Sequence, residues 1–204
     1  TLIEANRDVF SILLGGGENK IVMDNELTGE SSVAIKLIDF DNPANNSFIA
    51  ISQFRIDTPG TAKDFIIPDI VLFVNGMPLV VIECKYPTSV TANALYEGIR
   101  QLMRYAGKRK EFEGITGKEG DERLFWFNQI IISTFGDTAK YASISAIAED
   151  HFLEWKDIYP VNFREYIPPL GKERSQEVLI QGMFPPSTLL DIIRSFIIYR
   201  EDEG

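Results

Sequence analysis

A chain of 204 residues with 45% hydrophobic and 25% charged residues can bury one substantial core. A single cysteine excludes a disulfide framework and suits a reducing compartment. One histidine, His151, leaves no zinc-type Cys/His cluster and makes a Ser-His-Asp or Cys-His arrangement a poor expectation.

The net charge of −10 speaks against nucleic acid as a partner on that figure alone. A local strip of Arg100, Arg104, Lys108, Arg109 and Lys110 can coexist with it, either as a phosphate guide or as a solvated helix end complementing the dipole. No run approaches the ~18 apolar residues of a membrane span, and the N-terminus lacks a signal-peptide pattern, so the expected location is cytoplasmic. No G-x-x-x-x-G-K-[ST] loop is present, so nucleotide hydrolysis is not encoded here.

In chain order, Ile3, Val9, Phe10, Leu13 and Leu14 recur at helical spacing over residues 2–14, and Gly15-Gly16-Gly17 ends that helix. Residues 21–23 suit a short strand. Longer strands are predicted over 32–40 and 48–57, joined by the turn-rich Asp41-Asn42-Pro43-Ala44-Asn45-Asn46, so an antiparallel meander leads onward. Then apolar runs at 70–74 and 79–82 flank Asn75-Gly76, a strong hairpin signal. Neither run alternates with polar residues, which places both at the buried centre of a sheet.

A helix follows over 92–110 with Leu95, Ile99, Leu102 and Ala106 as its stripe; Gln101 and Tyr105 share an adjoining face, with Arg104 and Lys108 near it. Residues 113–123 read as loop. A buried strand over 124–134 is expected to run parallel to the second hairpin strand, as a β–α–β unit requires. A helix over 143–156, an irregular stretch around Pro160, Pro168 and Pro169, and a last helix over 187–199 capped by Ser187 complete the chain. The fold class is α/β (α+β), a mixed central β-sheet flanked by helices.

Asp69 opens the first hairpin strand, and Glu83 and Lys85 close the second. Charged side chains there are costly unless paired or bound to a metal. A strict two-residue turn would pair Asp69 with Ile82 and put Asp69 and Glu83 on opposite faces. A three-residue loop with Gly76 left-handed and a G1 bulge pairs Phe73 with Met77 and Asp69 with Val81, making the two carboxylates diagonal neighbours. Pro78, which cannot donate to a ladder, favours irregularity, so a bulge or an equivalent one-residue offset is predicted. Two such carboxylates repel, raising at least one pKa, unless a hard cation such as Mg²⁺ joins them. Lys85 would then be placed to hold or deprotonate an attacking water and to offset phosphorane charge. A Lys–carboxylate ion pair ending a buried hairpin is the other reading of these residues.

Pro68-Asp69 followed by Glu83-x-Lys85 resembles the PD-(D/E)xK nuclease motif, and the whole run over 68–85 resembles the N-terminal nuclease domain of type I restriction-enzyme R (HsdR) subunits. Three further blocks agree: Leu37-Ile-Asp-Phe-Asp-Asn-Pro-Ala-Asn-Asn46-Ser-Phe; Gln101-Leu-Met-Arg-Tyr105, similar to the family's Q-x-x-x-Y; and Phe127-Asn-Gln-Ile-Ile-Ile with Phe152-Leu-Glu-Trp-Lys156. The resemblance implies a restriction-endonuclease-like core over 1–160, with 161–204 an extension toward a helicase motor absent from this chain. It implies Asp69, Glu83 and the Cys84 backbone carbonyl as Mg²⁺ ligands and Lys85 as the catalytic lysine. Gln101 and Tyr105, with Arg104 and Lys108 beside them, would contact DNA or support the site. The implied activity is hydrolysis of double-stranded DNA phosphodiesters in a type I site-specific deoxyribonuclease. Methyltransferase (M) and specificity (S) subunits would be its partners, and ATP would serve only the motor. The family's preceding helical segment with an additional acidic residue has no clear counterpart; Glu4 is a poor substitute. A non-catalytic DNA-binding or subunit-docking module of the same fold is the alternative, against which the intact Asp/Glu/Lys set argues.

Overall fold

The structure, a computed structural model, describes residues 1–15, 21–23, 33–86, 93–146, 148–158 and 174–199. Helix α1 (Leu2–Leu13) begins at a capping box: the Thr1 hydroxyl accepts from the Glu4 backbone, and the Glu4 carboxylate takes the Thr1 ammonium at 2.6 Å. Strands β1 (Val22–Met23) and β2 (Val33–Ala34) pair antiparallel. The strand predicted over 32–40 stops at Ala34. Side chains compete for the backbone just beyond it: Asp39 Oδ1 accepts from Asn42 N at 2.9 Å, and Asn46 Oδ1 from Asp39 N at 2.9 Å.

Strand β3 (Phe48–Ser52) is also shorter than predicted, because Gln53 adopts a left-handed φ of 54° and separates it from β4 (Ile56–Asp57), which pairs with β5 (Phe65–Ile66). The hairpin β6 (Ile70–Val74) and β7 (Met77–Lys85) forms as expected, with β7 central in a five-stranded mixed sheet. After it come α2 (Ala94–Tyr105), α3 (Arg109–Glu113), α4 (Arg123–Trp126), β8 (Ile130–Phe135) and β9 (Thr138–Ser143). The sheet order is β3-β6-β7-β8-β9, and only β7 and β8 are parallel, as the β–α–β pattern requires. The fold is the mixed α/β architecture expected, consistent with a PD-(D/E)xK core.

Several boundaries differ. The helix predicted over 92–110 ends at Tyr105, and Gly107 turns the chain with φ 75°. Residues 124–126 are helix rather than strand. Asn6 explains the difference: its buried Nδ2 donates to Phe125 O (2.9 Å), Trp126 O (2.8 Å) and Asn128 O (2.7 Å), holding this stretch against α1 and out of the sheet. The helix predicted over 143–156 does not form. A two-residue turn at Gly136 (φ 55°) and Asp137 instead folds β9 back on β8, and Leu153 pairs with Tyr141 as an isolated bridge. His151 sits in a surface 3-10 turn.

Helix α5 (Ser175–Met183) was not anticipated, and α6 (Pro186–Phe196) starts at Pro186, with Pro185 rather than Ser187 at the cap. The prolines at 160, 168 and 169 lie outside the described residues. One face of the sheet packs on α2 through Val71, Val81, Ile131, Ile99 and Leu102. The other packs on α5, α6 and the end of α1 through Val80, Ile82, Ile132, Leu179, Leu190 and Phe10. No described helix is long and apolar enough to cross a membrane.

Candidate active site

The turn that reverses the hairpin is tight. Val74 pairs with Met77, and Asn75 (φ 49°) and Gly76 (φ 83°) both lie in the left-handed region, the signature of a type I′ turn. The G1 bulge expected at Gly76 is therefore absent. The offset sits two residues further along β7: Phe73 pairs with Pro78 but Leu72 with Val80, leaving Leu79 as the extra residue. Its carbonyl accepts from Gln129 N at 2.8 Å and from Asn128 Nδ2 at 3.2 Å, so the bulge costs no buried hydrogen bond there. Beyond it Ile70 pairs with Ile82, and extending the ladder by one residue sets Asp69 opposite Glu83. The predicted one-residue offset is present and the carboxylates share a face, directly opposite rather than diagonal.

Within β7, Glu83 and Lys85 point the same way, toward α2. Lys85 Nζ donates to Glu83 Oε1 (2.8 Å) and Gln101 Oε1 (2.5 Å), and Gln101 Nε2 donates to the Tyr105 hydroxyl (2.6 Å). The Q-x-x-x-Y pair thus holds the lysine through a relay along one helix face. Gly98 lets α2 come this close: a Cβ there would overlap Ser133 Oγ and lie 3.4 Å from Lys85 Cγ. Asp69 is fixed at both oxygens, Oδ2 by Cys84 N (2.7 Å) and Oδ1 by Gln53 Nε2 (2.8 Å).

Glu83 is 2% exposed, and its Oε2 is buried with no hydrogen-bond partner. Burial pushes its carboxyl up to about 7 against the pull of Lys85, and neighbouring Asp69 pushes the same way. Burial also raises Tyr105, which keeps its hydroxyl protonated.

These groups suit a hard divalent cation. An orphaned carboxylate oxygen faces a second carboxylate, and all the donors are oxygen. A residue's N–H and C=O point to the same side of an extended strand, so the Cys84 carbonyl is directed toward the side from which Asp69 takes its N–H. Among the described residues no group of three or more His, Cys, Asp and Glu side chains could hold a metal. Two carboxylates with a backbone carbonyl are a donor set that a cation such as Mg²⁺ could accept, with waters and phosphate oxygens as its other ligands.

Arg104 and Lys108 are not brought into this group. Arg104 lies among Glu97 (3.0 Å), Glu113 (3.0 Å) and Glu119 (3.6 Å). Lys108 is 8% exposed and donates to the carbonyls of Ile144 and Ala146, and burial pushes it down to about 8. Arg100 and Arg109 are likewise paired, with Glu149 and Glu113, so the basic strip is largely neutralised. Glu4 is engaged in the α1 cap. Gln53, Gly98 and Ser133 are site neighbours that sequence reasoning missed. Only Gly98 carried a signal, a glycine inside an amphipathic helix.

Residues 2–148 match the family model described as type I restriction enzyme R protein N terminus. Over 202 residues the chain is 30% identical to the type I restriction enzyme HindI endonuclease subunit of Haemophilus influenzae, covering 98% of this chain and 17% of that protein. Two proteins of Methanocaldococcus jannaschii, provisionally named type I restriction enzyme MjaIXP and MjaVIIP endonuclease subunits, are 26% and 31% identical. The matches cover 89% and 82% of this chain but 17% and 14% of theirs. The chain thus spans less than a fifth of the length of these curated relatives. With the hairpin, its three charged residues and the Gln–Tyr relay in place, the family match assigns the chain to the N-terminal family of type I restriction enzyme R proteins.

Proposed function

We propose that this chain is the metal-dependent nuclease domain of a type I restriction enzyme, hydrolysing phosphodiester bonds of double-stranded DNA. The observation that carries the reading is the bulge at Leu79, which sets Asp69 and Glu83 on one face beside Lys85 and leaves Glu83 Oε2 buried without a partner. A plain structural ion pair would not need that second oxygen buried against another carboxylate, since an unmatched buried polar atom costs about 1–3 kcal/mol.

Asp69, Glu83 and the Cys84 carbonyl are the residues to hold Mg²⁺. Bound there, the ion would polarise the phosphate and lower the pKa of an attacking water. Lys85 has three donors; two are engaged by Glu83 and Gln101, which leaves the third for a water or a phosphoryl oxygen. Gln101 and Tyr105 fix the ammonium in position, so charge developing on phosphorus meets a preorganised donor. Direct phosphate guidance by Arg104 and Lys108 gains no support from their pairing. We place the domain in the cytoplasm, in a complex with methyltransferase and specificity subunits. We assign any ATP-driven translocation to sequence outside this chain.

Cleavage of supercoiled DNA by the complete enzyme, with Lys85→Ala and Asp69→Ala compared with wild type, tests the reading. Both variants should lose cleavage by at least about 100-fold. Unchanged cleavage in both would end the nuclease assignment and leave a docking or DNA-gripping module of the same fold.

A further inference from the structure

Gln53 lies outside the three charged residues and the Gln–Tyr relay, yet it reaches the site twice. Its backbone N–H donates to Asp69 O at 2.8 Å, and its side-chain Nε2 donates to Asp69 Oδ1 at 2.8 Å. It does so from φ 54°, a conformation that side-chain-bearing residues rarely adopt and that glycine or asparagine would take more readily. A strained glutamine at the end of an edge strand has no packing reason to be there, because it is exposed. Its evident partner is the carboxylate.

We infer that Gln53 is a positioning residue that aims the Asp69 carboxylate at a divalent cation shared with Glu83. The two donors come from different segments and take different oxygens, Gln53 at Oδ1 and Cys84 N at Oδ2. Each oxygen keeps a lone pair, so the carboxylate is oriented without being saturated. Carboxylates that bind metals depend on such outer partners, and losing one typically weakens metal affinity about 10–100-fold. The left-handed backbone is what lets one residue grip Asp69 by main chain and side chain together. This inference rests on the metal-dependent reading above.

The test is Mn²⁺ titration of the chain by calorimetry, with thermal unfolding in parallel. Gln53→Asn and Gln53→Gly both accept the backbone conformation but cannot reach Asp69 Oδ1. Each should bind Mn²⁺ at least about 10-fold more weakly, with a Tm equal to or above that of wild type. Asp69→Asn should abolish binding. Gln53 variants that bind like wild type while Asp69→Asn does not would overturn the positioning role and spare the metal site. A lowered Tm with unchanged affinity would equally assign Gln53 a structural role. Absence of Mn²⁺ binding by wild type would overturn both readings.

Discussion

Replacing Gly98 by alanine tests how closely α2 must approach the strands that carry the site. The new Cβ would overlap Ser133 Oγ and stand 3.4 Å from both Ser133 Cβ and Lys85 Cγ. Ser133 is fully buried and donates to Leu95 O at 2.7 Å, so swinging its hydroxyl aside forfeits that bond, worth about 1 kcal/mol. Overpacking of this kind costs about 1–3 kcal/mol. Alanine regains about 0.5–1 kcal/mol over glycine in a helix interior.

The net loss is about 1–3 kcal/mol, and each kcal/mol lowers Tm by roughly 2–4 °C in a chain of this size. Urea denaturation of Gly98→Ala, Ser133→Ala and the double variant measures it as a cycle. Without the serine oxygen the remaining contacts are ordinary, so Gly98→Ala should cost at least about 1 kcal/mol less in the Ser133→Ala background. Cleavage should fall in the single variant as well, because Gln101 and Tyr105 move with the helix. A Gly98→Ala variant as stable as wild type, or an equal cost in both backgrounds, would refute the close-approach argument.

Three further outcomes are expected. Because Glu83 titrates near 7 in the fold against an ordinary value of 4.5, the folded protein holds a proton that the unfolded chain releases between those values. The unfolding free energy of the metal-free protein therefore falls as pH rises through that window, by up to about 3 kcal/mol. Glu83→Gln should lack this slope, and parallel urea midpoints for the two proteins from acid to neutral pH would sink the idea. Asn75→Ala should cost about 2–3 kcal/mol. It forces alanine into φ 49° and deletes bonds to Ser47 N (2.7 Å), Leu37 O (2.9 Å) and Asn46 Oδ1 (2.8 Å); Asn75→Gly should recover the backbone share in thermal unfolding. Asn6→Leu should cost at least about 3 kcal/mol, because three carbonyls lose their donor inside the core; amide hydrogen exchange should then show α4 opening first.

The hairpin, the parallel β7–β8 pairing and the Asp69, Glu83, Lys85 set were legible because each rests on local signals: an Asn-Gly pair, non-alternating apolar runs, and charges at strand ends. What escaped depends on distant partners. Residues 124–126 have the composition of a strand, and Asn6, more than a hundred residues away, holds them against α1 and out of the sheet. Residues 143–156 carry a helix-like apolar pattern, yet Leu153 finds an extended partner in Tyr141. The basic strip looked like a phosphate guide because sequence shows its cations on one helix while several of the acids that neutralise them come from elsewhere, Glu119 and Glu149 among them. The bulge was anticipated but misplaced: Asn-Gly favoured its own tight turn, and the irregularity moved to Pro78, which leaves a ladder position without a donor.

The surplus residue at Leu79 makes the site a matter of odd and even. Every strand position beyond it is shifted by one, and one step exchanges the two sides of a pleated sheet. Deleting a single apolar residue between Pro78 and Ile82 would leave all three charged residues in the chain and turn Glu83 and Lys85 toward α5 and α6, away from Asp69 and Gln101. Within this hairpin, then, the number of residues between Asp69 and Glu83 carries as much information as their identities. A length change invisible to any inventory of functional side chains would erase the site as thoroughly as replacing one of them.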